Sequence, residues 1–307
     1  MGDKKLENVR TYKYLGLIVT PSGEIRSALV DLRSRALKAY MAMKSKLGVC
    51  FKDCVADTVS LFESLVKPIL LYGSDFWGCL KLPKNNPVEN LHMQFCRQVL
   101  GVQKYTTNYG VLLELGRVPL VLEARKLSLK NWDRIRKKKG NVLVTKSYEN
   151  SCLKMLDWDQ TARDLLSKHG MQYHATNPDT CNLDKAYFGR AKDVYHQEAF
   201  SEINNPDSKL RTYATLKQSI GREVYLDEIR NTKRRQKLTR FRLSNHKLMI
   251  EVGRHMRPKL NREERICQIC EKAVENEVHL LVACKFYETL RKPMCDLCEE
   301  MRPQIFR

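Results

Sequence analysis

The sequence lacks a membrane-spanning segment, a signal peptide and a myristoylation motif. No apolar run approaches the roughly 18–20 residues that a bilayer-spanning helix needs. No apolar stretch follows the N-terminal residues 1–5, so we expect no signal peptide, and Leu6 stands where N-myristoylation needs serine or threonine. We therefore expect an intracellular protein, nuclear or cytoplasmic. Its 11 cysteines should be core residues or metal ligands in that reducing environment, and not disulfides.

Recognisable signatures of catalysis are missing as well. Polymerases hold their metal ions with paired carboxylates, and the sequence contains no Asp-Asp pair. The nearest approach is Asp157-Trp158-Asp159, which we interpret as surface acids. There is no glycine-rich phosphate loop and no Gly-x-Ser-x-Gly motif. The sequence therefore predicts neither an enzyme nor a small-molecule substrate.

Acidic residues are scarce relative to basic ones. The 307 residues include 55 lysines and arginines against 35 aspartates and glutamates, a formal net charge of +20. Such a charge attracts polyanions, and RNA or DNA is the commonest polyanionic partner, with an anionic membrane surface as the rival. Hydrophobic residues make up 43% of the chain, which is enough for a folded core and for two or three domains of ordinary size.

The periodicity of the apolar residues predicts a mainly α fold. Residues 11–20 are rich in Tyr, Leu, Ile and Val and indicate a β-strand, or half of a hairpin, before a turn at Pro21-Ser22-Gly23. Apolar residues then recur every three or four positions, which predicts amphipathic helices. These helices are expected at residues 24–47 (ended by Gly48), 53–72 (interrupted by Pro68), 87–100 (ended by Gly101) and 119–139.

The second half of the chain has weaker patterns until residue 233. Residues 141–230 contain short helical patterns at 191–203 and 210–220, and we interpret this stretch as an irregular helical linker region. A long basic helix is predicted for residues 233–254, with Pro258 ending it.

Four residues near the C-terminus have the spacing of a zinc site. Cys267, Cys270, His279 and Cys284 form the pattern C-x2-C-x8-H-x4-C. Zinc prefers four tetrahedral sulfur and nitrogen ligands. A tight turn can bring the first two cysteines to one ion, and one short helix is expected to carry the histidine and the last cysteine. Apolar neighbours should form a miniature core around the metal: Ile266, Ile269, Val278, Leu280, Leu281 and Val282. The alternative is four reduced side chains without a metal.

A second C-x2-C pair follows at Cys295 and Cys298, and no further histidine or cysteine comes after it. We interpret the pair as core cysteines of a terminal helix, with a competing ligand pair as the alternative.

The region before the zinc motif carries the densest positive charge. Between residues 233 and 259 there are ten cations and one acid, Glu251. Leu238, Phe241, Leu248 and Val252 are expected to face inward while the cations face outward and track phosphates. The alternatives are a solvated face and a membrane-surface helix. The predicted nucleic-acid-binding residues are Lys233, Arg234, Arg235, Lys237, Arg240, Arg242, Lys247, Arg254, Arg257 and Lys259. A second cluster, residues 134–139, either stabilises a helix C-terminus or contacts RNA.

Several short motifs, in this order, resemble the end of a non-LTR (LINE-type) retrotransposon reverse transcriptase. They are Tyr12-Lys13-Tyr14-Leu15-Gly16, the stretch from Val66 through Leu71-Tyr72-Gly73 to Trp77, residues 95–101, residues 114–119 with Trp132, residues 238–254 and the Cys-Cys-His-Cys motif. In that family the first motif lies in the primer-grip strand and the next ones lie in the thumb. The resemblance covers most of the chain and is weakest from about residue 141 to 230.

The resemblance implies a role in gripping template and primer. In the family, the palm with its catalytic aspartates lies upstream of the position of Lys13, so the resemblance does not extend to the chemistry. It implies a primer-grip strand and helical thumb-like bundle at residues 1–140, followed by the linker at 141–230, the basic helix at 231–260 and the zinc module with its tail at 261–307. The expected function is binding of RNA or DNA. The alternative is a zinc-dependent helical protein-interaction module without a nucleic-acid role.

Overall fold

A computed structural model of the protein describes residues 9–48, 50–137, 141–153, 157–177, 182–205 and 207–305. In this part of the chain the fold is mainly helical, as predicted, with one N-terminal β-hairpin. No helix described there is both long enough and apolar enough to cross a bilayer. The elements are β1 (Tyr12–Tyr14), β2 (Leu17–Val19), α1 (Arg26–Leu47), α2 (Cys50–Asp53), α3 (Val55–Leu65), α4 (Lys67–Leu70), α5 (Ser74–Trp77), α6 (Pro87–Leu100), α7 (Asn108–Glu114), α8 (Leu120–Arg136), α9 (Val142–Leu153), α10 (Asp157–Lys168), α11 (Gln172–Thr176), α12 (Leu183–Asn204), α13 (Arg211–Leu216), α14 (Tyr225–Glu228), α15 (Thr232–Arg242), α16 (Met249–Val252), a π-helical turn (His279–Ala283), a 3₁₀ turn (Lys285–Tyr287) and α17 (Glu288–Ile305).

Residues 11–20 contain a complete hairpin within the stretch predicted as one strand or half of a hairpin. Strands β1 and β2 pair antiparallel, with Tyr12 opposite Val19. Leu15 and Gly16 connect them with φ angles of 45° and 82°. Two positive φ angles in a two-residue loop give the twist that a tight hairpin needs, and Gly16 accepts this conformation without strain. Arg35 on α1 donates to the Gly16 carbonyl at 2.8 Å, so the hairpin is tied to the first helix.

The predicted first helix is confirmed, with the predicted buried face. Helix α1 begins at Arg26, and Gly48 follows its last residue with φ 51°, donating its N–H to the Lys44 carbonyl. The helix packs against α3, α4 and α6. Its buried residues are Ala28, Leu29, Leu32, Ala36, Tyr40 and Met43. At the centre of this packing Phe62 and Phe95 stack with ring centroids 3.9 Å apart.

The next three predicted helices are also present. The predicted interruption at Pro68 divides residues 55–70 into α3 and α4, with the proline in the first turn of α4. Helix α6 spans residues 87–100 and ends at Gly101, which has φ 68°. Helix α8 begins at Leu120, after Pro119. Residues 138–139 of that predicted helix lie outside the described residues.

The region expected to be an irregular linker contributes to the same hydrophobic core. Helix α12 spans 22 residues, includes the predicted pattern at 191–203 and packs against α7 and α8. Its buried side chains include Tyr187, Tyr195 and Ile203, which belong to one cluster of core residues running from Ile25 to Leu243. The short pattern at 210–220 corresponds to α13. The division of the chain at residues 140, 230 and 260 stays a prediction.

The single long basic helix predicted for residues 233–254 is wrong. Helix α15 ends at Arg242, and the four-residue helix α16 follows after a bend. Ser244 in the bend has φ 48°, and its hydroxyl donates to Glu277 at 3.2 Å. Asn245 accepts a hydrogen bond from the Gln103 amide at 3.3 Å. The helix ends here because these two polar side chains form hydrogen bonds with other segments of the chain. The periodicity of apolar residues contains no information about such distant partners.

Candidate metal centre and the basic surface

The four residues of the predicted zinc motif come together in the structure. One ligand atom from each of Cys267, Cys270, His279 and Cys284 lies within 4.8 Å of all the others. The Nε2 atom of His279 is 3.3 Å from the sulfur of Cys270, so this nitrogen faces the cluster. Cys267, Cys284 and His279 are buried and Cys270 is half-buried. The arrangement can bind a metal ion.

A short two-stranded ribbon and a tight turn position the first two cysteines. Ile266 and Val274 form an antiparallel bridge, and the Cys267 amide donates to the Ala273 carbonyl at 2.9 Å. Inside this ribbon the Glu271 amide donates back to the Cys267 carbonyl at 2.9 Å, and Glu271 has φ 54°. The chain therefore reverses within five residues, which lets two cysteines three positions apart point to the same space.

His279 begins a π-helical turn and Cys284 directly follows it, where one short α-helix was predicted to carry both. The Cys284 amide donates to the His279 carbonyl at 2.8 Å, a hydrogen bond between residues five positions apart. Five residues of α-helix advance by about 1.4 turns, which would point the two side chains away from each other. The wider π turn brings position i+5 above position i. Asn276 caps the start of the turn, because its side-chain oxygen accepts a hydrogen bond from the His279 amide at 2.7 Å.

The surroundings of two of the cysteines shift the pKa values of their thiols in opposite directions. Hydrogen bonding from the Lys272 amide lowers the pKa of Cys270. Burial raises the pKa of the Cys267 thiol. A bound divalent cation favours the thiolate of every cysteine that ligates it, so metal binding would release protons from these groups.

The predicted miniature core around the metal is wrong for four of its six residues, while Ile266 and Leu280 are half-buried. Ile269, Val278, Leu281 and Val282 are 44%, 59%, 42% and 70% exposed. The module is too small to enclose these side chains, because its interior is occupied by the four ligand groups. Its attachment to the helical body is polar.

A buried carboxylate makes that attachment. Glu277 accepts hydrogen bonds from Arg211 at 2.9 Å, Thr212 at 3.0 Å, Ser244 at 3.2 Å and His246 at 2.8 Å. The Nδ1 atom of His246 accepts a hydrogen bond from the Leu248 amide at 3.3 Å, which leaves Nε2 to donate to Glu277. Burial raises the pKa of Glu277, but the hydrogen bond from His246 and the charge of Arg211 outweigh it and hold that pKa at about 2. The Cys-Cys-His-Cys motif itself contains no signal for this clamp.

Of the second C-x2-C pair, Cys295 is not among the residues of the cluster. Cys295 is exposed on α17, contrary to its interpretation as a core cysteine. The side chain of Cys298 lies outside those that the structure describes.

Most of the predicted nucleic-acid-binding cations are on the surface. Seven of the ten are exposed, namely Lys233, Arg234, Lys237, Arg240, Lys247, Arg257 and Lys259. Arg254 is half-buried and lies 3.6 Å from Glu251. Arg240 also donates to the Gly101 carbonyl at 2.7 Å.

The remaining two cations face the interior, on a buried face of α15 that was predicted to be apolar. Arg235 is 2% exposed and donates to the Ile229 carbonyl at 2.6 Å. Arg242 is 9% exposed and pairs with Glu114 and Glu223. The buried residues of α15 are Arg235, Thr239 and Arg242, whereas Leu238 is 37% exposed. Arg235 and Arg242 hold the helix in place and do not face solvent.

The cluster at residues 134–139 is engaged within the protein where the structure describes it. Arg136 donates to the carbonyls of His174 and Ala175, at 2.8 and 2.5 Å, and Lys137 pairs with Asp133 at 2.6 Å. These contacts favour a structural role for the C-terminal end of α8.

Comparison with known proteins assigns no role to these residues. No family model, no curated protein and no solved structure matches the chain.

Proposed function

We propose that the protein binds nucleic acid through the exposed cations around α15, next to a zinc-bound Cys-Cys-His-Cys module. The observation that carries the proposal is an unbalanced surface charge. No acidic residue occurs between Glu228 and Glu251. Along α15 the side chains of Lys233, Arg234 and Lys237 are exposed, and none of them forms an ion pair with a residue that the structure describes. Cations that are free of internal partners can neutralise phosphates and release counterions.

The donor set of the metal centre favours zinc. Three thiols and one imidazole are ligands that zinc accepts in structural sites, where all four positions come from protein. Such a module would hold the segment after α16 in one conformation. That segment carries Arg257 and Lys259, two of the exposed cations.

We also propose that the chain derives from the C-terminal part of a LINE-type reverse transcriptase and performs no polymerisation itself. The order of the short motifs supports the origin. The hydrogen bonding of Asp159 supports the proposed absence of polymerisation. Its carboxylate accepts hydrogen bonds from Trp132 at 2.8 Å, Tyr148 at 2.5 Å and Arg163 at 2.6 Å. A carboxylate with three internal donors is unsuited to hold a catalytic metal ion. Template-dependent nucleotide incorporation by the purified chain would contradict this part.

The test of binding is a salt titration with single-stranded RNA of mixed sequence. Each lost phosphate contact lowers the slope of log affinity against log salt by about 0.7 for a single strand. The variant Lys233→Ala/Arg234→Ala/Lys237→Ala should therefore flatten the slope by about 2, and it should weaken binding of unrelated sequences equally. The buried Arg235 is left in place, because its removal would disturb the fold.

A matched control removes three exposed lysines from other surfaces, Lys81, Lys84 and Lys168. It should change the slope much less. Equal losses in both variants would mean that the net charge acts only as a diffuse field. Unchanged affinity in the α15 variant would overturn binding through this helix.

A protein-interaction role for the module is the second candidate. It is favoured by the exposed apolar side chains of Val278, Val282 and Phe286, which are 59%, 70% and 65% exposed on the metal-binding segment. Scattered apolar residues are normal on surfaces, but three that are more than half exposed within nine residues are candidates for contact with a partner protein. If the wild-type protein shows no salt-dependent RNA binding, this candidate becomes the first.

A further inference from the structure

Three segments far apart in the chain meet around the exposed ring of Tyr105. Tyr105 lies in the loop between α6 and α7 and is 60% exposed. The ammonium group of Lys209, which precedes α13, lies over its ring at 5.6 Å from the centroid. The imidazole of His255, after α16, is 6.5 Å from the same ring at an interplanar angle of 55°. An aromatic surface thus lies between two groups that can contact phosphate.

The loop that presents Tyr105 is anchored on both sides. Arg97 of α6 donates to the Thr106 carbonyl at 2.9 Å. Arg240 of α15 donates to the Gly101 carbonyl at 2.7 Å. Thr106 itself is 1% exposed, so the residue next to the tyrosine is packed inside. Tyr105 is therefore an outward-facing ring on a fixed support, and ordering it on binding costs little conformational entropy.

The surroundings of this ring are positively charged. Lys104 is its exposed neighbour in the loop, and Arg240 links the loop directly to the basic surface of α15. The acid near Lys209 is Glu251, which is 5% exposed and lies within 4 Å of three cations, Lys209, Arg211 and Arg254. Arg211 also pairs with Glu277 at 2.9 Å, so these two carboxylates face three cations, and with Lys104 the charge around the ring is positive.

An isolated exposed tyrosine needs no explanation on a protein surface. Tyr105 differs because the ammonium of Lys209 lies over one face of its ring, an imidazole lies beside it, an anchored loop presents it, and 60% of the residue is still exposed. Single-stranded nucleic acid is bound by this combination, in which bases stack on aromatic rings while cations follow the backbone. Bases within a duplex are covered on both faces by their neighbours and offer no surface for such a ring.

We propose that Tyr105 is a stacking platform for an unpaired base, with Lys209 and His255 beside the adjoining phosphates, and that the protein therefore prefers single-stranded to double-stranded nucleic acid. This inference rests on the proposed nucleic-acid-binding function. It adds two residues outside the predicted basic region, Tyr105 and Lys209, and a class of substrate.

The experiment measures the affinity of the full-length protein for a labelled mixed-sequence single strand of about 16 nucleotides and for the corresponding duplex. Tyr105→Ala should weaken binding of the single strand by about 5- to 100-fold, the range that loss of one stacking contact gives. It should leave duplex affinity unchanged. Tyr105→Phe keeps the ring and should bind like the wild type. The slope against salt should stay the same in both variants, since stacking releases no counterions.

Tyr173→Ala is the matched control, because Tyr173 is 62% exposed on α11. It should bind like the wild type. Equal affinities of the Tyr105→Ala and Tyr173→Ala proteins for the single strand would overturn the platform while leaving nucleic-acid binding intact. An equal loss on single strand and duplex by Tyr105→Ala would also overturn it. Absence of binding by the wild-type protein would instead remove the proposed function on which the platform rests.

Discussion

Arg242 and Glu114 form a buried ion pair between α15 and the C-terminal end of α7, with the arginine Nε 2.7 Å from Oε1 of the glutamate. The same guanidinium donates to Glu223 at 2.6 Å, and the Tyr225 hydroxyl donates to Glu114 at 2.6 Å. Burial lowers the pKa of Arg242, but the hydrogen bond and charge of Glu114 outweigh it and raise that pKa. A residue predicted to contact nucleic acid is therefore part of the interior.

We expect Arg242→Ala to destabilise the protein by about 3–5 kcal/mol, because it leaves Glu114 charged and buried without its partner. Lys237→Ala, on the exposed side of the same helix, should change the free energy of unfolding by less than about 0.5 kcal/mol. Denaturant unfolding of both variants gives the comparison. Equal stability of the two proteins would show that the pair does not hold α15.

The metal content of the purified protein tests directly whether the cysteine and histidine cluster binds zinc. Purified protein should contain one zinc per chain, and Cys270→Ser should lose it, because three ligands remain. A structural zinc contributes on the order of 10 kcal/mol to so small a module, so amide protons of the π turn should exchange faster in this variant. Cys295→Ser, an exposed cysteine outside the cluster, should keep the metal. Stoichiometric zinc in the Cys270→Ser protein would contradict the ligand assignment.

Gly78 lies where α5 packs against α8. A Cβ atom at this position would overlap the carbonyl oxygen of Ala124 on α8, and the backbone of a helix cannot move aside cheaply. Gly78→Ala should therefore destabilise the protein by about 1–3 kcal/mol or more.

Gly189 is the control for Gly78. It is an exposed residue of α12 with open space around its Cα, so Gly189→Ala should stabilise the protein by up to about 1 kcal/mol. Opposite signs of the two changes in thermal denaturation are expected. The same sign for both would contradict the close approach of α5 and α8.

Asp159 should make stability depend on pH in the acid range. Burial raises its pKa, but hydrogen bonds from Arg163, Tyr148 and Trp132 outweigh that effect and lower it. A carboxyl group with a lowered pKa stabilises the fold above its unfolded pKa of about 3.9, and this contribution is lost as the pH falls through the folded value.

Asp159→Asn should therefore be less stable than the wild type at neutral pH by about 1–3 kcal/mol, and the difference should shrink below about pH 4. Asp193→Asn removes an exposed acid of α12 and should show no such convergence. A difference that stays constant down to the acid range would mean that Asp159 has an ordinary pKa. The prediction that Asp159 is a surface acid is already corrected by its three internal donors.

The features that were predicted most accurately from the sequence depend on residues that are close together in the chain. Pro68, Gly48 and Gly101 interrupt or end helices by their own backbone preferences, and α1 buries the apolar residues that recur along it. The four candidate metal ligands also come from local spacing and one short loop. A fixed spacing of cysteines and histidine constrains the backbone enough to predict the cluster.

Other features depend on partners that are distant in the chain. The end of α15 at Arg242 requires Gln103 and Glu277 as partners for the bend. The exposure of a cation cannot be read from its residue type, because Arg235 and Lys237 are two positions apart and face opposite environments.

The sequence by itself determined the helical class, the positions of α1, α6 and α8 and the candidate metal ligands, because proline, glycine and apolar periodicity act over a few neighbouring residues. Tertiary structure alone decided which arginines are buried, that Glu277 clamps the metal-binding module, and that Tyr105, Lys209 and His255 meet. These outcomes depend on charge pairing and packing between segments up to 150 residues apart, and no local pattern encodes them.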